Sequence, residues 1–98
     1  MLMTWLRAWM QIDYSSQFKR NYKKKILKKF LEDTFQEKLT LFIKDPFHNN
    51  LKTHKLSGEF KDCWAFSVEY DCRVIFKFLN EDKTKVLFVN VGKHDEVY

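Results

Sequence analysis

Apolar residues in this chain repeat with two different periods, and the period changes near residue 50. Between residues 18 and 43 they recur every three or four positions, which is the spacing of one helix face. From residue 64 onward they alternate with polar or small residues, as in half-buried strands. A chain whose helices precede its strands favours an α+β fold. We therefore predict two N-terminal helices packed on a small antiparallel sheet with a mixed edge.

The helical half divides into two segments. Ser15 or Ser16 is a credible N-cap for the first. Its apolar stripe consists of Phe18, Tyr22, Ile26 and Phe30, joined by Leu27 and Leu31. The second segment, for which Asp33 or Thr34 is the expected cap, carries Phe35, Leu39, Phe42 and Ile43. Asp45-Pro46 ends it, because a residue before proline avoids the helical region.

Strands are predicted on both sides of this helical hairpin. A short edge strand is expected over residues 11–14, before the first helix. A strand interrupted by Gly58 is expected over residues 51–60, followed by strands over 63–70, 73–79 and 86–91. A polar turn at residues 80–82 joins the last two.

Length and composition limit the chain to one domain and exclude several functions. Its 98 residues suffice for a core of modest size. We expect residues 1–10 to be an N-terminal extension, which is either the product of an upstream start codon, with Met10 as the alternative start, or an appended helix. Residues 11–98 are expected to form the domain. No apolar run approaches the ~20 residues of a membrane span. With two glycines there is no phosphate-cradling loop, so we predict no nucleotide cofactor. We expect no other cofactor either, and we expect the protein to be cytoplasmic.

Basic residues are concentrated in one segment. The net charge is +5, and residues 18–29 carry seven of the 18 basic side chains and no acidic one. Such a strip attracts a polyanion, which is a nucleic acid, an acidic protein or an anionic membrane. The alternative is a solvated helix face that keeps the protein soluble.

The residues available for chemistry are few. His94 follows the last predicted strand, where a side chain is exposed at the sheet rim and can exchange a proton near neutral pH; an ordinary surface histidine is the alternative. Cys63 and Cys72 lack metal-ligand spacing, and we expect them to be small buried residues rather than a disulfide. A basic, aromatic-rich surface with a histidine suits RNA, whose 2′-hydroxyl can attack the adjacent phosphorus without a metal.

Three ordered motifs carry a resemblance to a known family. They are Thr53-His54-Lys55-Leu56-Ser57-Gly58, then residues 64–76 (WAFSVEYDCRVIF), then residues 91–98 (VGKHDEVY). Together with the opening Tyr14-Ser15-Ser16-Gln17-Phe18 and the lysine-rich helix, they resemble the YafQ-like branch of the RelE/ParE superfamily of bacterial toxins. The similarity spans about residues 10–98. It implies a type II toxin–antitoxin toxin that cuts mRNA in the ribosomal A site, with an antitoxin protein as its partner.

The resemblance also implies roles for individual residues. His94 matches the catalytic C-terminal histidine, the general acid, and Tyr98 matches a terminal aromatic that stacks on or orients a base. His54 and Asp71 match positions where either serves as base or orienter. Arg73 lies where RelE has a phosphate-stabilising arginine. The lysines expected to hold RNA are Lys52, Lys55, Lys61 and Lys93, together with Lys23, Lys24 and Lys25 of the basic strip, which is alternatively the surface that docks the antitoxin.

One departure from the family pattern leaves alternatives open. Ser67 stands where the YafQ branch has another active-site histidine, so the general base is not identified by the resemblance. Arg73 compensates for this loss in one interpretation, and the enzyme is weakened in another. The competing functions are a ParE-like inhibitor of DNA gyrase, against which residues 92–98 argue, and a binding module without catalysis.

Overall fold

The computed structural model describes residues 10–94 and shows one sheet with two helices on one face. The strands are β1 (Gln11–Tyr14), β2 (His54–Lys55), β3 (Trp64–Glu69), β4 (Cys72–Phe78) and β5 (Lys85–Gly92). The helices are α1 (Ser16–Tyr22), which continues into a π-helical turn (Lys23–Leu27), and α2 (Glu32–Lys44). Short 3-10 helices lie at Asn49–Leu51 and Gly58–Phe60. The predicted α+β class is confirmed.

The five strands follow the spatial order β1-β5-β4-β3-β2. β1 pairs with β5 in parallel, and all other neighbouring strands are antiparallel. The sheet therefore has the mixed edge that the sequence predicts. The two helices, residues 16–44, lie in the chain between β1 and β2, which are the two edge strands of the sheet. The helical segment therefore connects one edge to the other. The parallel edge therefore forms because the chain leaves β1 through a helix rather than through a tight turn.

The core lies between the helices and one face of the sheet. Its side chains are largely aromatic, and rings from both layers interlock: Phe42 of α2 stacks on Phe66 of β3 at 4.9 Å and meets Phe76 of β4 edge-on at 4.9 Å. Phe18 of α1 packs on Phe88 of β5 at 5.5 Å. These positions are nearly inaccessible to solvent. The alternating pattern of β3 to β5 thus assigns one face of each strand to the helices.

The start of α1 agrees with the sequence. The Ser15 hydroxyl accepts the Phe18 N–H at 3.0 Å and donates to the Val89 carbonyl at 2.6 Å, so one cap also ties the helix to β5.

The end of α1 differs from the prediction at Phe30. The Leu31 N–H bonds to the Ile26 carbonyl and the Phe30 N–H to the Leu27 carbonyl, which is the Schellman pattern. Phe30 takes the left-handed position of this motif at φ 56° and is 90% exposed, so its place in the buried stripe was wrong. Leu31 follows, packs on the core and is itself the N-cap of α2, which leaves no role as cap for Asp33 or Thr34.

The segment predicted as a strand over residues 51–60 is mostly irregular. Only His54 and Lys55 pair with β3. Lys52 and Gly58 have positive φ angles of 52° and 66°, which break the extended conformation on either side of that pair. The end of α2 at Asp45, before Pro46, is confirmed.

Residues 1–9 and 95–98 lie outside the described residues, and with them Tyr98 and all of the predicted extension except Met10. Met10 packs against the core. Within residues 10–94, no helix is long and apolar enough to cross a membrane.

Candidate functional site

The register of the central strands gathers motif residues at one end of the sheet. Arg73 on β4 pairs with Ser67 on β3 and with Gly92 on β5. Paired residues in an antiparallel sheet project from the same face, with Cβ atoms about 4.5–5.5 Å apart. Cys72 and Val74, on either side of Arg73, belong to the core beneath the helices. Arg73 therefore projects from the other face, which we call the distal face.

His54 lies on the distal face as well. It pairs with Ala65, two residues before Ser67 on β3, so it is a diagonal neighbour of Ser67 at roughly 7–8 Å. Its Nδ1 lies 3.1 Å from the Lys52 carbonyl oxygen. A carbonyl only accepts hydrogen bonds, so Nδ1 carries the hydrogen and Nε2 carries the lone pair of the neutral ring. The backbone thus orients this imidazole with a basic nitrogen on the side away from Lys52.

His48 is arranged in the opposite sense. Its Nδ1 accepts the Asn50 N–H at 3.0 Å and caps the 3-10 helix Asn49–Leu51. Because that nitrogen is an acceptor, the hydrogen of the neutral ring is on Nε2. This histidine has a structural task, which agrees with its absence from the predicted site.

His94 lies two residues beyond β5, whose last residue pairs with Arg73. The path of β5 at this end is set by Asn90. The Asn90 Oδ1 accepts the Asn21 Nδ2 of α1 at 2.6 Å and the Val91 N–H at 2.9 Å, and the pairing with β4 shifts register between Ile75 and Phe76 beside it. The sequence prediction missed this buried amide, although a single asparagine inside an otherwise apolar strand was a signal for it.

Asp71 lies in the turn between β3 and β4. It lines a groove of about 340 Å³ together with Lys25 of the π-helical turn and Lys93 after β5. The Asp71 carboxylate therefore has lysines around it, whereas His54 lies on the distal face. Of the two candidates for a general base, strand register places His54 on the face of Arg73, while Asp71 lies in the turn, outside the paired residues.

Cys72 lies between these charged groups. The pKa of its thiol is raised to about 11, chiefly by burial and also by the carboxylates of Glu69 and Asp71, while Lys25 and Arg73 act to lower it. Because charge interactions weaken with distance, all four groups lie near this sulfur. The thiol is thus a neutral, buried residue, as predicted, and Cys63 is a second free thiol, half-buried.

The predicted RNA-binding lysines fall into two groups. Lys52, Lys55 and Lys61 lie close to His54 in the chain. The Lys55 Nζ is 5.8 Å from the centre of the Trp64 ring, and Lys61 follows the 3-10 helix that borders a hollow lined by His54 and Lys55. The others lie on the opposite side of the hairpin tip, where Lys23 and Lys24 are exposed on the π-helical turn and Lys25 and Lys93 line the groove.

Ser67, where a histidine was expected, donates its hydroxyl hydrogen to the Glu69 carbonyl at 2.8 Å. This bond spans the register shift of the β3–β4 pairing, so the serine stabilises the local bend. No group of three or more metal-ligating side chains exists within residues 10–94.

Residues 10–98 match the profile of a family described as bacterial toxins of type II toxin–antitoxin systems, YafQ. The chain belongs to this family. A comparison with curated protein sequences gives no significant match.

Solved structures agree with this membership. YafQ from Escherichia coli strain BL21(DE3) is 25% identical, with a TM-score of 0.72, over 90% of this chain and 97% of that one. YafQ in the E. coli DinJ–YafQ complex is 25% identical, with a TM-score of 0.68, over the same 90% and 97%. A YoeB/ParE toxin from Agrobacterium tumefaciens shares the fold alone, at 10% identity and a TM-score of 0.69, over 87% and 99% of the two chains.

Proposed function

We propose that this YafQ-family toxin is an endoribonuclease that cleaves mRNA on the ribosome without a metal ion. The observation that supports the proposal best is the register of Arg73. This cation lies between Ser67 and Gly92 on the distal face, with His54 on the same face and His94 following the strand that ends beside it. Cleavage at a 2′-hydroxyl needs a base, an acid and a cation for the phosphorane, and these side chains provide all three.

The reaction is a transesterification. The His54 Nε2 removes the proton of the 2′-hydroxyl, and the 2′-oxygen forms a bond to the adjacent phosphorus. The bond from phosphorus to the 5′-oxygen breaks, and His94 donates the proton that this oxygen takes up. The products are a 2′,3′-cyclic phosphate and a 5′-hydroxyl end, while Arg73 stabilises the additional negative charge on the phosphoryl oxygens.

The remaining predicted residues act in binding. Lys52, Lys55 and Lys61 contact the RNA backbone near His54, and Tyr98 orients a base next to His94. Asp71 has a positioning role, because it lines the lysine-bordered groove. Lys23, Lys24 and Lys25 bind ribosomal RNA, which contributes a salt-dependent part of the affinity.

The second partner is an antitoxin. YafQ of E. coli has been solved with DinJ as a toxin–antitoxin complex. By analogy, we propose that an acidic antitoxin covers the basic strip at residues 18–29 of this protein. Because that strip also faces ribosomal RNA in our proposal, antitoxin and ribosome compete for it in the cytoplasm.

Primer extension on a reporter mRNA after induction tests the nuclease. The natural protein should produce cleavage sites within codons, and His94→Ala should reduce their yield about 100-fold or more, since general acid catalysis contributes that much. His48→Asn is the matched control, because asparagine retains an acceptor for the Asn50 N–H and leaves the site untouched. Equal cleavage by the natural protein and His94→Ala would contradict the proposed mechanism.

A further inference from the structure

The hollow beside His54 is formed by the loop between β2 and β3. Its volume is about 520 Å³, within the range of roughly 300–1,000 Å³ that is usual for ligand sites. The Leu56 N–H donates to the Cys63 carbonyl at 3.0 Å and closes this loop. Leu56 also packs on the small apolar cluster of Ala65 and Ile75, which holds the loop on the distal face. The side chains that line the hollow are those of His54, Lys55, Leu56, Ser57, Glu59 and Phe60.

Phe60 provides an aromatic ring in this hollow. The ring is partly buried, but within residues 10–94 it belongs to neither core cluster and contacts no other aromatic ring. Its backbone is held on both sides, because the Phe60 N–H donates to the Ser57 carbonyl at 3.3 Å and the Phe60 carbonyl accepts the Cys63 N–H at 2.8 Å. Gly58 allows this turn, since it adopts a left-handed φ of 66°. Phe60 is therefore a positioned ring that the core does not use.

Glu59 gives the hollow a hydrogen-bond acceptor. Its side chain is exposed, and it forms no ion pair or hydrogen bond with another of residues 10–94. Lys55 lines the same hollow, and Lys61 follows the 3-10 helix. A carboxylate repels phosphate, so a site for phosphate alone gains nothing from Glu59. A nucleoside, by contrast, offers a carboxylate the N–H groups of its base, and it offers Phe60 a flat ring to stack on.

The proposed reaction determines which nucleotide reaches the hollow. His54 is the proposed base, and the hydroxyl on which it acts belongs to the nucleotide on the 5′ side of the scissile phosphate. In a ribose, the C2′ atom that carries this hydroxyl is bonded to C1′, which carries the base. Because His54 lines the hollow, this nucleobase lies within one ribose of it.

We propose that the hollow selects the nucleotide on the 5′ side of the cleaved bond, with its base stacked on Phe60 and an exocyclic amino group of the base donating to Glu59. The inference rests on the proposed function, which supplies RNA as the ligand and His54 as the base. It adds a sequence preference, because adenine, cytosine and guanine carry an exocyclic amino group and uracil does not. Codons with uracil at this position are therefore cleaved less.

Two hexanucleotides test the role of Glu59 without cleavage, since fluorine replaces every 2′-hydroxyl. One contains adenine throughout, and the other contains purine, which is adenine without its amino group. In fluorescence anisotropy with 5′-fluorescein labels, the natural protein should bind the adenine hexamer about fivefold more tightly, as one hydrogen bond allows. Glu59→Ala should bind the two hexamers equally. Glu81→Ala, which removes an exposed carboxylate between β4 and β5, should keep the preference.

The role of Phe60 is tested with the same hexamers. Phe60→Ala should weaken the binding of both about fivefold or more, which corresponds to the loss of one stacked base. Phe60→Tyr should bind as the natural protein does, because it retains the ring. Tyr70→Ala is the matched control, since it removes a ring that is 94% exposed and does not line the hollow. Glu59→Ala alters an exposed side chain, so its result is independent of any effect of Phe60→Ala on folding.

Failure of this inference differs from failure of the proposed function. If the natural protein shows no preference for the adenine hexamer, if the preference survives Glu59→Ala, or if Phe60→Ala binds as tightly, the hollow does not recognise a base, whatever the primer-extension result. An equal loss of oligo-glutamate binding in Phe60→Ala would also overturn the inference, because that polyanion has no bases and the hollow would then dock an acidic protein. If the preference depends on Glu59 and Phe60 but no mRNA is cleaved, the nuclease proposal fails and base recognition by the hollow stands.

Discussion

Replacing Phe30 by glycine should stabilise the fold. A left-handed conformation costs an L-residue roughly 1–2 kcal/mol, and Phe30 adopts it at φ 56°. The substitution removes almost no buried surface, because the side chain is 90% exposed. Glycine loses about 0.5–1 kcal/mol through its greater freedom in the unfolded chain. The net expectation is a gain of about 0.5–1 kcal/mol in the free energy of unfolding.

Thermal unfolding followed by circular dichroism measures this gain. A domain of this size should show a Tm higher by roughly 2–8 °C, and urea unfolding should show a higher midpoint with an unchanged slope. Lys28→Gly is the matched control, since Lys28 lies two residues earlier at φ −69° in the ordinary helical region. There glycine has no strain to relieve and should lower stability by about 0.5–1 kcal/mol.

A lower Tm for Phe30→Gly would refute the reasoning, because it would mean that the ring packs against the fold.

Three further predictions concern the site and its surroundings. His54→Asn keeps an amide donor for the Lys52 carbonyl but removes the proton acceptor, so the Tm should stay unchanged while single-turnover cleavage falls about 100-fold or more; equal cleavage would reassign the base. Ser67→His should accelerate cleavage if the serine weakens the enzyme, and an unchanged rate would show that Arg73 and His54 suffice. The pKa of Cys72 is raised to about 11, chiefly by burial, so the stability that its neutral thiol contributes is fully present below the ordinary pKa of 9.0 and is lost as the pH rises from 9.0 to about 11. Urea unfolding of Cys72→Ala and of the natural protein over this pH range measures the effect. Identical pH dependence of the two proteins would contradict the prediction.

Local sequence signals were sufficient where the interactions are local. The i+4 stripe from Phe18 to Ile26, the Ser15 cap and the Asp45-Pro46 stop each depend on residues within one or two helical turns, and the structure has all three. The alternation over β3 followed from the same rule, since a strand with one face on a core repeats every two residues.

Phe30 shows where local pattern reading failed. Its spacing continues the stripe of α1, but the π-helical turn adds a residue to the last turn and the Schellman motif then rotates Phe30 outward. The 51–60 segment failed for a related reason, because two positive φ angles, at Lys52 and Gly58, leave only two residues extended.

What the sequence determined by itself was the class of the fold and the types of side chain available, because periodicity and composition are written in the order of residues. Only the tertiary structure decided which of them meet. Strand register put Arg73 between Ser67 and Gly92, and packing brought Lys25 of the π-helical turn to one groove with Asp71 of the hairpin turn, 46 positions later in the chain. Register and packing arise from contacts between residues distant in sequence, and a pattern read along the chain contains no information on those distances.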